Sequence, residues 1–193
     1  MVTGTVTTKD HMQDMEDALE LIKKTRIYVG IPEEKASRED GNDMINNAEL
    51  LYIHSNGIRR KEMRDAMQGN LDAGMAYGKA YDLYVQEQGS PLWHAPPRPV
   101  LEPAIEANID DIVDELGTAY KEALNGRAAA EKGLRRVGLH LQNIARNWFE
   151  DSRNGWAPNS PLTIARKGSE LPLVDTGDLR SSIVYVLRKE GER

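Results

Sequence analysis

Apolar and polar residues recur along the chain with two different periods, and the change of period marks out its elements. Met12, Met15, Ala18, Leu19 and Ile22 fall at helical spacing behind Asp10, a residue suited to cap a helix. Ile27, Val29 and Ile31 then alternate with Tyr28 and Gly30, a strand signal that Pro32 ends. Val2 to Thr8, built of Thr, Val and Gly, reads as a short strand or a loose arm. The charged, turn-rich "EEKASREDGND" reads as a surface loop. "NNAELLYIHSNG" reads as a short helix, capped by Asn46 or Asn47 and stopped by Gly57.

"LYIHSNG", Leu51 to Gly57, is echoed by "LYVQEQG", Leu83 to Gly89. Between the echoes, Met63, Met67, Leu71 and Met75 keep helical spacing, but Gly69, Gly74 and Gly78 interrupt it. Each glycine costs a helix interior about 1 kcal/mol relative to Ala. The pattern predicts a helical excursion over Ile58 to Gln86, an inserted hairpin or a broken helix. One echo is too little for a repeat architecture.

"GSPLWHAPPRPVLEPAIE" is stiff and non-helical through Pro96, Pro97 and Pro99. Pro103 suits the first residue of a helix, which carries Ile105, Ile109, Ile112, Val113, Leu116, Tyr120 and Leu124 on one stripe. "NGRA" breaks it. A second long helix puts Leu134, Val137, Leu141, Ile144, Ala145 and Trp148 on one face, and the short break favours an antiparallel pair. "DSRNGWAPNSP" reads as loop, and "LTIARKGSELPL" as a connection with a helical turn. One or two turns follow in "DLRSSI". A final strand then alternates Ile183, Tyr185 and Leu187 with Val184 and Val186. The expected fold class is α+β: a long antiparallel helix pair packed against a small sheet, in one domain spanning 1–193, with the helical insertion at 58–86.

Composition narrows the class. With 39% hydrophobic and 29% charged residues the chain reads as soluble and globular. It has no cysteine, so disulfides and thiolate metal sites are excluded and a reducing compartment fits. No signal-peptide core and no bilayer-spanning run is visible. The net charge of -6 is uneven: Arg127 to Arg193 hold 12 Lys and Arg against 8 Asp and Glu, +4, which leaves -10 for the remainder. An acidic front and a mildly basic back suit head-to-tail association, although charge alone reads first as solvated surface.

Asp175-Thr176-Gly177 is the tripeptide that carries the catalytic aspartate of aspartic proteases. That chemistry needs two aspartates sharing one proton, so one short chain would have to dimerise through the loop. It also needs small residues after the tripeptide, where Asp178, Leu179 and Arg180 stand. A structural reading accounts for each residue: Asp175 or Thr176 caps a helix, Gly177 allows a tight entry, and Asp178 favours the positive helix N-terminus. The histidines, His11, His54, His94 and His140, have no partner at ligand spacing, and His54 and His140 read as partly buried polar residues of amphipathic helices. Asp110, Asp111, Asp114 and Glu115 have the residue types for a divalent cation but read first as a solvated helix face. Arg127, Lys132, Arg135 and Arg136 lack aromatic interleaving in an acidic chain, which argues against sequence-specific nucleic-acid binding. No phosphate-binding glycine loop and no nucleophile motif occurs.

Four segments occur in a familiar order: "IYVGIPEEKASRE", "NNAELLYIHSNG", "GSPLWHAPPRPVLEPAIE" and "APNSPLTIARKGSELPLVDTGDLRSSIVYVLR". In this the chain resembles the neck, or tail-completion, proteins of tailed bacteriophages. The resemblance covers most of the chain from about Arg26. Its most specific part runs from Pro161, Thr163, Arg166 and Lys167 through Pro172 and Leu173 to Asp175, Thr176, Gly177, Leu179, Arg180, Ser182 and Ile183. Two departures stand out. Family members usually pass from Y-I-H directly to a glycine and G-S-P, whereas Ile58 to about Gln86 intervenes here, and Val100 stands where an aromatic is usual.

The resemblance implies a non-enzymatic virion protein, assembled in the host cytoplasm, forming a sixfold ring at the head–tail junction. It implies a head-completion or connector protein on one side and a tail-terminator or tail-tube protein on the other. Genomic DNA would only pass through the channel, without specific contact, and no membrane or cofactor is implied. The interface residues it points to are Pro97, Arg98 and Pro99 in the stiff centre, with Arg166, Lys167, Asp175, Thr176, Gly177, Leu179 and Arg180 in the C-terminal motif. Arg98 and Arg180 can each bind a carboxylate bidentately, from a neighbouring subunit or within their own. The competing class is an enzyme: a small hydrolase on the DTG aspartate or a metal-dependent nuclease on the acidic helix.

Overall fold

The computed structural model describes residues 11–38, 45–58, 61–88 and 95–191. Val2 to Thr8, the Asp10 cap, part of the charged loop and Gly89 to His94 of the Pro-rich centre lie outside them. The described residues are mostly helical, with a small two-stranded antiparallel sheet, so the fold class is α+β. Among them, no helix is long and apolar enough to cross a membrane. The described residues divide into two compact units: those within 1–29, 108–143 and 185–193 form the first, and those within 30–107 and 144–184 the second.

The first unit is built on α1 (His11–Lys24), α6 (Ile109–Ala123), the larger part of α7 (Arg127–Asn147), and the strands β1 (Thr25–Gly30) and β2 (Val184–Lys189). Ala18 and Ile22 of α1 meet Ala123, Ala130 and Leu134, with Ile27 and Leu187 of the two strands packed against them. Small residues let the helices come close: a β-carbon at Gly133 of α7 would lie 2.9 Å from that of Ala119 on α6. Arg136 of α7 reaches back to Glu115 and, at 2.8 Å, to Glu122. Pairing 136 with 115 and 133 with 119 is the antiparallel register that the short break predicts. Asp14 of α1 accepts the Arg127 backbone N–H at 3.3 Å, satisfying one of the orphan donors at the start of α7.

The helix expected from Pro103 to Leu124 is two helices, and this corrects the sequence reading. α5 (Leu101–Glu106) begins two residues before Pro103, and the chain breaks at Ala107–Asn108 before α6. The Ala107 carbonyl accepts from Arg153 Nη1 at 3.1 Å, so a side chain competes for the helix ladder at the break. The expected apolar stripe is corrected too. Ile112 is buried, but Ile109 (49%), Val113 (56%), Tyr120 (49%) and Leu124 (56%) are exposed, and α6 buries Ala119 and Ala123 instead. On the expected face of α7, Leu134, Val137 and Ala145 are buried, as is Trp148 just past its end, while Leu141 and Ile144 are partly buried.

In the second unit, the excursion is a helical hairpin: α3 (Lys61–Asp72) and α4 (Tyr77–Gln88). Met63, Met67 and Ala80 form its own buried cluster, flanked by Leu71, Met75, Tyr77, Tyr81 and Tyr84. The excursion closes later than the sequence echo suggests. Ile58 and Ala95 exchange both backbone hydrogen bonds, at 2.8 and 2.9 Å, as an isolated antiparallel bridge. The remaining elements are α2 (Asn47–Asn56), α8 (Pro161–Lys167) and α9 (Asp178–Ser182).

Candidate functional site

The site grows from the two ends of α2. At its start, Asn46 accepts from the Glu49 N–H at 2.9 Å while the Glu49 carboxylate accepts from the Asn46 N–H at 3.0 Å, a reciprocal cap. Asn47 is buried, and its amide donates to Ser37 O (3.2 Å), Asp178 Oδ2 (3.3 Å) and Ser182 Oγ (2.8 Å). One side chain thus ties α2 to α9. At the far end, Gly57 has φ +70, and a β-carbon there would come within 2.6 Å of Ala95 O and 2.7 Å of Pro97 N. Only glycine supplies both that backbone and that space.

The Pro-rich segment is fastened there by the few polar groups it retains. Prolines have no N–H, so Arg98 carries the single backbone donor between Pro96 and Pro99. It gives that hydrogen to His54 O at 2.7 Å, one of the carbonyls that α2 leaves unpaired at its C-terminus. The Trp156 indole donates to Pro99 O at 3.0 Å. The Arg98 side chain is 8% exposed. Its Nε and Nη2 donate to Ala157 O (3.2 and 2.9 Å), and Nη2 also to Pro158 O (3.3 Å) and Asn159 Oδ1 (3.4 Å). Asn159 in turn donates to Glu170 O and Leu171 O, both at 3.2 Å, and Lys167 Nζ donates to Leu171 O at 3.1 Å.

These groups surround a cavity of about 400 Å³, with Arg38, His54, Arg98, Lys167, Asp175 and Asp178 as its charged or titratable lining and Leu50, Leu173 and Leu179 as apolar wall. Leu173 is held at φ 59, alone among the described non-glycine residues in having a positive φ. That conformation costs an L-residue about 1–2 kcal/mol and is kept where the surroundings impose it. Burial, followed by the charges of Arg98, Lys167 and Arg38, holds the His54 imidazole below its ordinary pKa. Burial likewise lowers the Arg98 pKa.

Of the residues singled out in the sequence, Arg98, Lys167, Asp175, Thr176, Gly177 and Leu179 line this one cavity. Pro97 and Pro99 flank Arg98 without lining it, and Arg166 is exposed on α8. Arg180 turns elsewhere: it pairs with Glu150 and lies 3.5 Å from Asn147 Oδ1. In the DTG segment, Gly177 is the residue before α9, at φ 84, and the Thr176 hydroxyl accepts from the Asp178 N–H at 3.3 Å. This corrects the expected cap: Gly177, not Asp175 or Thr176, stands at the N-cap of α9, no side chain caps the helix, and the Thr176 bond closes a local turn ahead of it. Asp175 is exposed at the cavity edge. Among the described residues, no group of three His, Cys, Asp or Glu side chains is placed to hold a metal ion.

The sequence reading missed Asn47 and Asn159 as organisers of the site. Asn159 carries a signal, since a polar amide between Pro158 and Ser160 sits inside the C-terminal motif. Asn47 carries none beyond its neighbour's capping role. No protein-family model, no curated protein and no solved structure matches the chain.

Proposed function

We propose that this chain is a structural subunit of the head–tail junction of a tailed-phage particle. In this reading, copies of it form a sixfold ring between a head-completion or connector protein and a tail-terminator or tail-tube protein, and the chain carries no catalytic activity. The observation that carries the reading is the α6 stripe. Ile109, Val113, Tyr120 and Leu124 fall on one helix face and are all about half exposed. A continuous apolar face on the surface marks a place where another molecule docks. The motif resemblance names the kind of molecule: a second copy and the adjoining virion rings. Support also comes from the C-terminal motif and the P-P-R-P segment, which build one cavity although more than 55 residues separate Arg98 from Ala157 and Asn159.

The test is Val113→Glu, which puts a charge in the middle of the stripe without touching a buried residue. Introduced into the genome that encodes the chain, it is expected to leave filled heads and finished tails unjoined, with the purified variant melting as the wild type does. Joined, infectious particles at the wild-type yield from that folded variant would overturn the reading.

A further inference from the structure

The cavity beside α2 is electrostatically incomplete. Arg98 is a residue with less than one-tenth of its surface exposed, yet its guanidinium's hydrogen-bond acceptors are three neutral groups: two backbone carbonyls and an amide oxygen. Among the described residues it forms no ion pair. Burying a cation away from a counter-charge is expensive, and the hydrogen bonds to Nε and Nη2 fix its orientation without neutralising it. Nη1 takes part in none of those bonds. Lys167 lines the same cavity with its ammonium on a backbone carbonyl, also a neutral partner.

Two acids line the cavity, but neither forms an ion pair with Arg98. Asp178 accepts from Asn47, and Asp175 stands exposed at the edge. The charges that act most on His54 are all positive: Arg98, Lys167 and Arg38. Burial, the larger cause, and these cations both hold its pKa down. The strained Leu173 backbone, with Leu50 and Leu179, adds an apolar wall beside the cations. A volume of about 400 Å³ falls in the range of sites that hold a small group, here one side chain.

We infer that this cavity is a receptor for one protein carboxylate, an Asp or Glu side chain that another polypeptide inserts between Arg98 and Lys167. A planar carboxylate matches the edge of a guanidinium, and the methylenes behind it match the leucine wall. A single negative charge suits a cavity that already holds Asp175 and Asp178, whereas a doubly charged phosphate would be repelled by them. This goes beyond the assembly reading and does not depend on it, because the receptor lies within one chain.

The test uses N-acetyl-glutamate N-methylamide, which carries one side-chain carboxylate, and follows the His54 imidazole by NMR, its resonance assigned by loss in His54→Gln. Arg38, Arg98, Lys167, Asp175 and Asp178 are the charged groups around that imidazole. A bound anion adds a favourable charge, so the probe is expected to move the His54 midpoint upward, saturably, at constant ionic strength. The glutamine analogue, which is neutral, is expected to leave it unmoved. Lys167→Gln, on the cavity wall, is expected to weaken the probe about tenfold, the loss of one charge-assisted contact. Arg98→Lys is expected to weaken it at least as much if that variant folds, while Lys167→Gln carries the test by itself if it does not. No saturable shift in the wild type overturns the inference, as does full affinity in folded Lys167→Gln. Equal binding of the glutamine analogue would also overturn it. Tighter binding of dimethyl phosphate, a stand-in for a nucleic-acid phosphodiester, would replace the carboxylate with a phosphate and overturn the assignment of a protein ligand.

Discussion

The ring of Tyr185 occupies the space that a side chain on residue 138 would fill: a β-carbon built at Gly138 comes within 2.3 Å of Tyr185 Cδ2. Gly138 lies in the interior of α7, where glycine costs about 1 kcal/mol relative to Ala. Close packing with β2 is what that cost obtains. Gly138→Ala is therefore expected to destabilise by about 1–3 kcal/mol, despite its better helix propensity, because the ring must move. Gly117→Ala on α6 is the control, since nothing lies within 4 Å of its β-carbon position. It is expected to stabilise by about 0.5–1 kcal/mol. Urea unfolding of both variants measures the two signs, and two stabilising substitutions would refute the packing account.

The hairpin α3–α4 is expected to be removable. Ile58 and Ala95 already form a hydrogen-bonded antiparallel pair, the geometry that a two-residue turn closes. Replacing residues 59–94 with Asn-Gly should leave a chain that unfolds cooperatively and keeps its remaining helix content by circular dichroism. A molten product would show that Met63, Met67 and Ala80 stabilise more than their own hairpin.

Three substitutions separate the roles around the DTG segment. Asn47→Ala removes the donor to Ser37, Asp178 and the buried Ser182 hydroxyl and is expected to cost about 1–3 kcal/mol. Thr176→Ala loses one hydrogen bond at the start of α9 and should cost about 0.5–1 kcal/mol. Asp175→Asn, on an exposed residue, should change stability little. Denaturant midpoints rank the three, and a large loss for Asp175→Asn would return the aspartate to the centre of the motif.

His54 makes stability depend on pH. Its folded pKa lies below the ordinary 6.5 through burial first, then Arg98, Lys167 and Arg38. Below that ordinary value the unfolded chain binds the proton that the folded chain refuses, so stability falls as pH drops through 6.5 towards the folded pKa. The expected result is a lower urea midpoint at about pH 5.5 than at about pH 7.5, with a smaller difference in His54→Gln. An unchanged difference would place the pH dependence elsewhere.

Much of the fold is legible in the sequence because it follows from local periodicity. Ile27 and Val29 alternate with Arg26 and Tyr28, and β1 shows that alternation in its burial. Asn46 and Glu49 stand three residues apart, and the reciprocal cap follows from that spacing alone. Leu134, Val137 and Ala145 mark the buried face of α7, and Trp148 is buried just past its end. These are outcomes of contacts within a turn or two of helix, or along one strand, where neighbours in sequence are neighbours in space.

Tertiary structure decided what depends on groups far apart in the chain. A helical stripe says which residues share a face, not which face is covered; Ala119 and Ala123 let α6 pack closely, and Val113 and Tyr120 were left outside. At the break after α5, the Ala107 carbonyl accepts from Arg153, 46 residues later in the chain. Gly133 and Gly138 look like weak points of α7 until Ala119 and Tyr185 are seen against them. Arg98 could be marked as a cation on a stiff segment, but its burial came from a loop 59 residues away. Local pattern records a residue's preference for burial; the shape and charge of its partners decide whether burial occurs, and those partners are brought together only by the fold.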